Sequence, residues 1–286
     1  MSKFEISVEN TKKMQKIGLK MIKEFDQFCK KNNLIYFLCG GNCIGALRHQ
    51  GFIEWDDDVD VFMPREDYER FKEIWRDTDE YLIQKNTIDS PNYNSATTIS
   101  HRNSTFIKTT ICDRDVAQGV AMDIFPLDNA PQGISRKIQK FWANLYIIYS
   151  VQRAPQNHGV LVKLFGNIVL SLAPTKKMRY KFAKFCEKKM TKYNKNETEF
   201  ITELCAGPKY MTIDYPKEVF KEQLYVKFED TELPIPLGYD IYLSMAFGNY
   251  MELPPVDKRI NHHKYEFIDL DTPYLKYRGI EYYKKK

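Results

Sequence analysis

"WDDDVDVFMPRED", residues 55–67, places four acidic side chains within five positions and then continues into apolar residues. The following positions favour a half-buried strand because they are β-branched, aromatic or apolar: Val59, Val61, Phe62 and Met63. Side chains alternate across a strand, so Asp58 and Asp60 are expected to share one face. Neighbouring carboxylates are costly unless a cation or a shared proton offsets their charge. The stretch therefore predicts a divalent metal site on a packed strand.

The composition indicates a globular protein with a real core. The chain has 286 residues, 43% of them hydrophobic, which is enough for one large domain or two smaller ones. Lys and Arg outnumber Asp and Glu by 43 to 38, a balance that suits anionic partners in general and does not single out nucleic acid. We expect no nucleic-acid partner.

Cysteine spacing and the N-terminal residues predict a reduced, cytoplasmic protein. The six Cys form no CxxC pair, and "MSKFEISVENTKKMQK" lacks the apolar stretch of a signal peptide. No run reaches the roughly 18 apolar residues of a spanning helix. The nearest is "GVLVKLFGNIVLSLAP", residues 159–174, which is interrupted by Lys163 and Asn167. We favour a buried helix there, and an interfacial membrane helix is the alternative.

The pattern of apolar residues predicts a mixed sheet flanked by helices. Up to residue 77 the expected order is helix, strand, helix, strand, helix, with Asn42 as the cap of the second helix: 9–31, 34–39, 43–50, the acidic strand and 65–77. Residues 81–125 have the texture of short strands. Residues 134–193 are helical, with breaks at Pro155, Gly159 and Pro174, and a last helix is expected to end at Gly248. No linker is evident, so we predict one domain over residues 1–286.

"CGGNCIGALRHQ", residues 39–50, predicts a phosphate site. A strand that ends in Gly40 and Gly41 at the start of a helix brings backbone amides and the positive helix end to one point. Combined with Asp58 and Asp60, such a loop can hold phosphates that a bound Mg²⁺ bridges. The order of glycines, helix and Asp-x-Asp is that of the nucleotidyltransferase fold.

Asp123 is the best candidate for a third acid, because it interrupts an apolar strand in "GVAMDIFPLD". The alternative is an Asp that bonds backbone amides at a strand end. Asp128 follows Pro126 and is expected in a turn. Asp56 shares the parity of Asp58 and is assigned to the loop or to a supporting role, and Asp57 is expected to point elsewhere.

"GGNCIGALRHQGFIEWDDDVDVFMPREDYERF", residues 40–71, resembles the signature of the LicD family of phosphotransferases, which is related to the fukutin proteins. "MDIFPLDNAP" and "FGNYMELPPVDKRINHH" also resemble later blocks of that family, so the resemblance spans residues 40–263. It implies a nucleotidyltransferase-like α/β (α+β) fold with a helical insertion at about 134–193. The sequence departs from the family pattern at Asn42 and Cys43, where the family commonly shows Thr and Leu.

The resemblance also implies an activity. Such a protein moves a substituted phosphate, often phosphocholine from CDP-choline, onto a hydroxyl of a glycan or lipid-linked glycan of the teichoic acid or lipopolysaccharide type. The step depends on Mg²⁺ or Mn²⁺, and the family's metal-site acids fall on Asp58 and Asp60, with Asp123 as the third carboxylate. In this interpretation Gly40 and Gly41 cradle the diphosphate, and Asp123 orients or deprotonates the acceptor.

Six basic side chains could pair with phosphates, although most are expected to be surface charges: Arg48, His49, Arg65, His101, Arg102 and Arg259. Arg48 is favoured because it follows the glycine loop within two helical turns, and Arg259 comes next. His262 and His263 could form a metal pair, but a polar loop is the favoured interpretation. Trp55 could face a trimethylammonium group, and core packing is the favoured role.

Three alternatives remain open from the sequence. The cargo could be another phosphoalcohol, such as ribitol phosphate or glycerol phosphate from its CDP donor. The enzyme could instead leave a nucleotide on a small acceptor, or the chain could be a catalytically silent scaffold. A lipid-borne acceptor would also suit weak peripheral binding to an anionic membrane through "KYRGIEYYKKK" and residues 159–193, with a solvated tail as the alternative.

Overall fold

The computed structural model describes residues 6–155, 159–261 and 263–284. Within these ranges the α-helices are α1 (Val8–Asn32), α2 (Gly40–His49), α3 (Arg65–Ile74), α4 (Gly133–Val151), α5 (Val160–Ser171), α6 (Lys176–Met190) and α7 (Tyr239–Phe247). The strands are β1 (Phe37–Leu38), β2 (Val59–Pro64), β3 (Tyr81–Gln84), β4 (Thr97–His101), β5 (Thr105–Lys108), β6 (Ala121–Ala130), β7 (Phe200–Glu203), β8 (Tyr215–Pro216), β9 (Gln223–Phe228), β10 (Thr231–Pro236) and β11 (Tyr265–Asp269).

The main sheet is built around β6, which is long enough to pair with three strands. β2 runs parallel to it along one edge. On the other edge, β4 pairs antiparallel with the first half of β6 and β7 pairs antiparallel with the second half. β1, β3 and β8 extend the sheet beside β2, β4 and β7. The predicted mixed sheet is confirmed, and the fold is α+β of the nucleotidyltransferase-like kind.

The first helix covers one face of this sheet, as its periodicity predicts. Ser7 caps α1 by accepting a hydrogen bond from the Asn10 amide, and the apolar side of the helix is buried. Phe25 meets Phe71 of α3 edge to face, with ring centroids 5.4 Å apart. Such aromatic pairs stabilise a core beyond the area that they bury. α1 and α3 therefore hold β2, the strand of the acidic stretch, from one side.

A buried ion pair joins the start of α3 to β6. The Arg65 guanidinium donates to both carboxylate oxygens of Asp128, at 2.8 and 2.7 Å, and Asn194 donates to the same carboxylate at 2.6 Å. Asp128 is fully buried within β6, so its predicted place in a turn is wrong. Two parallel hydrogen bonds between a guanidinium and a carboxylate satisfy both charges in the interior. Arg65 therefore has a structural role and is not free to bind a phosphate.

The predicted helical region 134–193 is confirmed as α4, α5 and α6, but α5 is not a buried helix. Of its 12 residues only Gly166, Val169 and Leu170 are buried. The predicted burial of residues 159–174 is wrong because α5 packs through one narrow side. In the described ranges no helix is long and apolar enough to cross a membrane.

The C-terminal residues are packed onto the domain as far as Lys284. Tyr282 is buried, and the Arg278 guanidinium donates from Nε to Asp115 at 2.7 Å. Lys284 lies 3.5 Å from Glu281. Lys285 and Lys286 lie outside the described residues. The cations of this tail that the structure describes are thus largely paired within the protein.

Candidate functional site

The acidic stretch and β6 bring the three predicted site acids together. Asp60 of β2 and Asp123 of β6 are direct partners in the parallel register, and neighbouring strands lie about 4.8 Å apart. Asp58 lies in the loop just before β2. Burial, followed by the carboxylates of Asp58, Asp123 and Asp56, raises the pKa of Asp60 well above its ordinary value. The fold therefore concentrates negative charge at this point.

Asp57 and His263 join the same cluster. The His263 ring nitrogen Nδ1 lies 3.2 Å from Asp57 Oδ1 and 3.7 Å from Asp58 Oδ2. One ligand atom from each of these three residues can be chosen so that all lie within 4.8 Å of one another. The prediction that Asp57 points elsewhere is wrong, because its side chain is fully buried and faces His263. His263 lies in a loop, as the favoured interpretation predicts, but its ring is at the acids, and His262 lies outside the described residues.

The residues present fit a divalent cation. Asp56 Oδ2 and Asp57 Oδ2 are buried and accept no hydrogen bond from the described residues. A buried carboxylate oxygen without a partner is expensive, and a cation would satisfy it. The carboxylate oxygens suit Mg²⁺ or Mn²⁺, whereas the His263 imidazole is a ligand that suits transition metals more than Mg²⁺. The cluster around Asp57, Asp58 and His263 overlaps the predicted metal set at Asp58.

Asn42 holds the backbone of the acidic stretch in place. Its side-chain amide donates to the Asp58 carbonyl at 3.2 Å and its side-chain oxygen accepts from the Asp60 amide at 2.6 Å. The predicted capping role of Asn42 is wrong, because Cys39 is the N-cap and α2 already begins at Gly40. Asn42 thus ties α2 to β2 through a donor and an acceptor on two separate side-chain atoms.

The two glycines lie beside the acids. A Cβ at Gly41 would collide with the Asp56 carboxylate. The absence of a side chain at Gly41 therefore leaves room for the observed position of that carboxylate. Gly40 has φ +52°, and its amide donates to the Tyr242 hydroxyl at 2.9 Å. The glycines therefore make room for the acidic loop, while their predicted contact with phosphate stays a prediction.

Arg48 and Arg259 lie close enough for their charges to interact, and Arg259 lies over Trp55, next to the acidic loop. Arg48 donates to the carbonyls of Tyr250 and Glu252 at 3.0 and 3.1 Å, and Arg259 donates to the Pro254 carbonyl at 2.9 Å. Burial, with the charge of Arg259 adding to it, lowers the pKa of Arg48. In the described part of the chain neither guanidinium has a carboxylate partner. Two uncompensated cations side by side suit an anionic ligand.

The other basic candidates are engaged elsewhere. Arg102 pairs with Asp77 at 3.0 Å, His101 bonds the Ser104 hydroxyl at 2.9 Å, and His49 accepts from Arg48 at 3.5 Å. Trp55 is half-buried, and the Arg259 guanidinium lies over the face of its ring, 5.7 Å from the ring centroid. That ring face is therefore already occupied by a cation of the protein.

A cavity of about 920 Å³ opens beside Asp123 and His263. One wall comes from β4, β5 and β6 and is polar. Another part of the lining comes from α4 and α5 and, apart from Asn144, is apolar: Ile147, Ile148, Val151, Val162 and Phe165. Pockets of this size with few convergent polar groups are typical ligand sites. The cavity is therefore the space in which a substrate can meet the acids.

Asp123 is fixed at the polar wall of this cavity. Thr98 Oγ1 and Asn94 Nδ2 both donate to its Oδ1, at 2.5 and 3.1 Å. Within the described residues these bonds come from side chains, which differs from the alternative of backbone amides at a strand end. Because both hydrogen bonds go to Oδ1, Oδ2 of Asp123 remains available to a substrate or a metal.

Lys108 is a cation at the site that the sequence did not reveal. Its Nζ lies 3.2 Å from His263 Nε2, it lines the cavity, and its charge favours the ionised form of Asp60. Asp57, His263 and Lys108 form a continuous row of contacts from the buried acids to the cavity. The row was not predicted because Asp57 and His263 are 206 positions apart, and "STFIKTTIC" shows no feature beyond a strand.

Comparison with known proteins finds a similarity to one family over part of the chain. Residues 33–144 match the model described as LicD/FKTN/FKRP, nucleotidyltransferase domain. The chain carries a LicD-family domain. This match contains α2, β2 and β6, hence all the acids of the cluster, while His263 and Arg259 lie beyond it.

The LicD likeness extends over most of the chain. A lipopolysaccharide cholinephosphotransferase LicD from Haemophilus influenzae is 29% identical over 270 residues, which cover 88% of this chain and 95% of that protein. Two uncharacterised proteins match shorter stretches: one from Rickettsia typhi is 39% identical over 54 residues, 19% of this chain and 18% of its own length. The other, from Rickettsia prowazekii, is 35% identical over 75 residues, 24% and 28% of the two chains. The long LicD alignment includes a far larger part of the fold than the family domain alone.

Proposed function

We propose that this chain is a metal-dependent phosphotransferase that moves phosphocholine from CDP-choline to a sugar hydroxyl of a cell-surface glycan precursor. One observation carries the proposal: five carboxylates, two of them with unpartnered buried oxygens, meet beside a large cavity in a LicD-family chain. The name of the Haemophilus influenzae relative, a lipopolysaccharide cholinephosphotransferase, supports phosphocholine as the cargo and lipopolysaccharide as the type of acceptor.

Asp58 with Asp57 and His263, and Asp60 with Asp123, are the residues that would hold Mg²⁺ or Mn²⁺. A bound cation of this kind supplies charge neutralisation for the phosphates of the donor and for the charge that develops during transfer. The raised pKa values of Asp56 and Asp60 agree with this role, because carboxyl groups crowded in this way ionise more readily when a cation is present.

The remaining groups position the substrates. Arg48 and Arg259 offer unpaired guanidinium charge to the donor phosphates, and Lys108 offers an ammonium at the cavity wall. Asp123, held through Oδ1, accepts the proton of the acceptor hydroxyl or orients it toward phosphorus. The apolar residues that α4 and α5 contribute to the cavity offer nonpolar contacts to the substrates.

The test is mass spectrometry of the products formed with CDP-choline, Mg²⁺ and a lipid-linked glycan extract. The proposal expects a glycan heavier by one phosphocholine, together with released CMP. Asp58→Asn and Asp60→Asn should each abolish this product, since either change removes a carboxylate on which the cation depends. Asp79→Asn, on the exposed turn before β3, is the matched control and should keep wild-type turnover.

Other outcomes identify a different reaction. If a product forms only with CDP-ribitol or CDP-glycerol, the assigned site stands and the transferred group is that phosphoalcohol instead of phosphocholine. Label from the nucleotide on the acceptor would show nucleotidyl transfer in place of phosphocholine transfer. Wild-type turnover in Asp58→Asn at saturating metal would contradict the assigned site.

A further inference from the structure

α5 carries an exposed apolar surface that the transfer reaction does not explain. We call it the α5 surface: Val160, Leu161, Leu164, Phe165, Ile168 and Leu172. Val160 and Leu161 are each 81% exposed, and the other four are at least half exposed. Single exposed apolar residues are ordinary, but a contiguous set on one helix marks an interaction site.

The opposite side of α5 fixes the helix to the domain. A Cβ at Gly166 would press on Ala154 and Pro155, which shows how closely the backbone approaches that turn. The Tyr149 hydroxyl donates to the Val169 carbonyl at 3.1 Å, and the Tyr149 ring stacks on Phe182 of α6 at 5.3 Å. Tyr149 thus links α5 and α6. The exposed residues therefore lie on the outer side of a packed helix, with Phe165 at the border between this side and the cavity.

The charged residues of α5 and α6 are almost all basic. α5 contains a single ionisable side chain, Lys163, and it contains no acid. α6, which follows after a short turn, carries seven basic residues and only one acid, Glu187. Lys176, Lys177 and Lys181 are exposed on it. An apolar helix face flanked by lysines has the composition of helices that lie in the interface of an anionic bilayer.

We propose that the α5 surface docks onto an anionic lipid leaflet, with α5 lying in the headgroup region and the lysines of α6 at the lipid phosphates. A second copy of this chain is a poorer occupant, because two lysine-rich surfaces would repel each other. Docking would also place the cavity at the membrane, since Val162 and Phe165 of α5 line the cavity that holds Asp123. A lipid-borne acceptor could then enter without leaving the bilayer surface. The docking itself does not depend on the transfer reaction.

The experiment is co-sedimentation of the full chain with vesicles of phosphatidylcholine alone and of phosphatidylcholine with about 30% phosphatidylglycerol. Binding is expected to the anionic vesicles and should weaken between about 0.05 and 0.5 M NaCl, as lysine contacts are screened. Lys176→Gln with Lys177→Gln and Lys181→Gln should weaken it by about fivefold per lysine that contacts the surface.

The apolar part is tested separately. Val160→Glu with Leu161→Glu should lower binding at least about tenfold, because two side chains no longer enter the interface. Val8→Glu with Val256→Glu is the matched control, since both residues are exposed and lie outside α5, α6 and the C-terminal tail. This control adds the same charge and should keep most of the binding. Far-UV circular dichroism verifies that each variant is folded.

Two results would overturn the proposal. One is the absence of binding by the wild-type chain to anionic vesicles at low salt. The other is equal loss of binding in the α5 double variant and the matched control, which would reduce the effect to net charge. Sedimentation velocity adds a third arm: a wild-type dimer that Val160→Glu with Leu161→Glu converts to a monomer would assign the α5 surface to self-association instead.

Discussion

Glu203 gives a stability prediction that can be worked from the structure. It lies in β7, its side chain is buried, and it accepts a hydrogen bond from the Tyr215 hydroxyl at 2.7 Å. Burial raises the pKa of Glu203 from 4.5 to about 7, although the bond from Tyr215 opposes this change. The perturbation is Glu203→Gln, which keeps the shape and an oxygen that can accept from Tyr215.

The sign follows from proton binding. Between pH 4.5 and about 7 the folded protein holds a proton on Glu203 that the unfolded chain has lost, so stability falls as the pH rises through this window. The folded and unfolded pKa values differ by about 2.5, and each unit corresponds to about 1.36 kcal/mol. Above pH 7 the ionised wild-type side chain therefore costs about 3 kcal/mol, which the neutral glutamine avoids.

The assay is thermal unfolding of the metal-free protein at pH 5 and pH 8. For a chain of 286 residues, an unfolding entropy of about 2.1 cal/mol/K per residue converts 3 kcal/mol into a rise in Tm of about 5 °C. Glu203→Gln should show most of this gain at pH 8 and little at pH 5. Glu197→Gln, at an exposed position, is the control and should change neither value. Equal Tm values for Glu203→Gln and wild type at pH 8 would refute the reasoning.

Two further predictions concern the site. Gly41→Ala should weaken Mn²⁺ binding, measured by titration calorimetry, at least about tenfold, because the added methyl displaces the Asp56 carboxylate. Gly133→Ala meets no neighbouring atom but has φ +63°, so it should cost stability through backbone strain and leave the Mn²⁺ affinity unchanged. Lys108→Met keeps the aliphatic stem and removes the charge, so KM for the CDP donor should rise by about tenfold or more. An unchanged KM would show that Lys108 serves His263 and not the donor.

Much of the site could be predicted because its signals are local. Asp58 and Asp60 stand within one stretch whose apolar neighbours reveal a strand, and Asp123 stands out in an apolar run. The register that sets Asp60 opposite Asp123 is a consequence of sheet pairing, and neither segment encodes it alone. Each acid could therefore be identified from its local sequence. That the acids lie close together is known only from the folded structure.

The errors share a physical origin in contacts between distant segments. Asp57 was assigned by strand alternation, but β2 begins only at Val59, so alternation does not apply to the loop before it. Asp128 follows a proline, yet Arg65 from another element holds it inside a strand. For α5, apolar composition alone does not distinguish a buried helix from an exposed one. Each outcome depends on a partner that the local sequence does not contain.

The arrangement of the acids is intelligible only as a binding site. Asp56 and Asp57 bury carboxylate oxygens without partners, and Asp60 is placed beside further carboxylates, all of which oppose folding. The protein nevertheless uses Asn42 and Gly41 to hold this loop in place, since one bonds its backbone and the other leaves room for Asp56. Structure that stabilises an unfavourable concentration of charge is expected where a ligand offsets that charge. A divalent cation with a phosphate-bearing donor meets this requirement, because it satisfies the acids and leaves Arg48 to the phosphates.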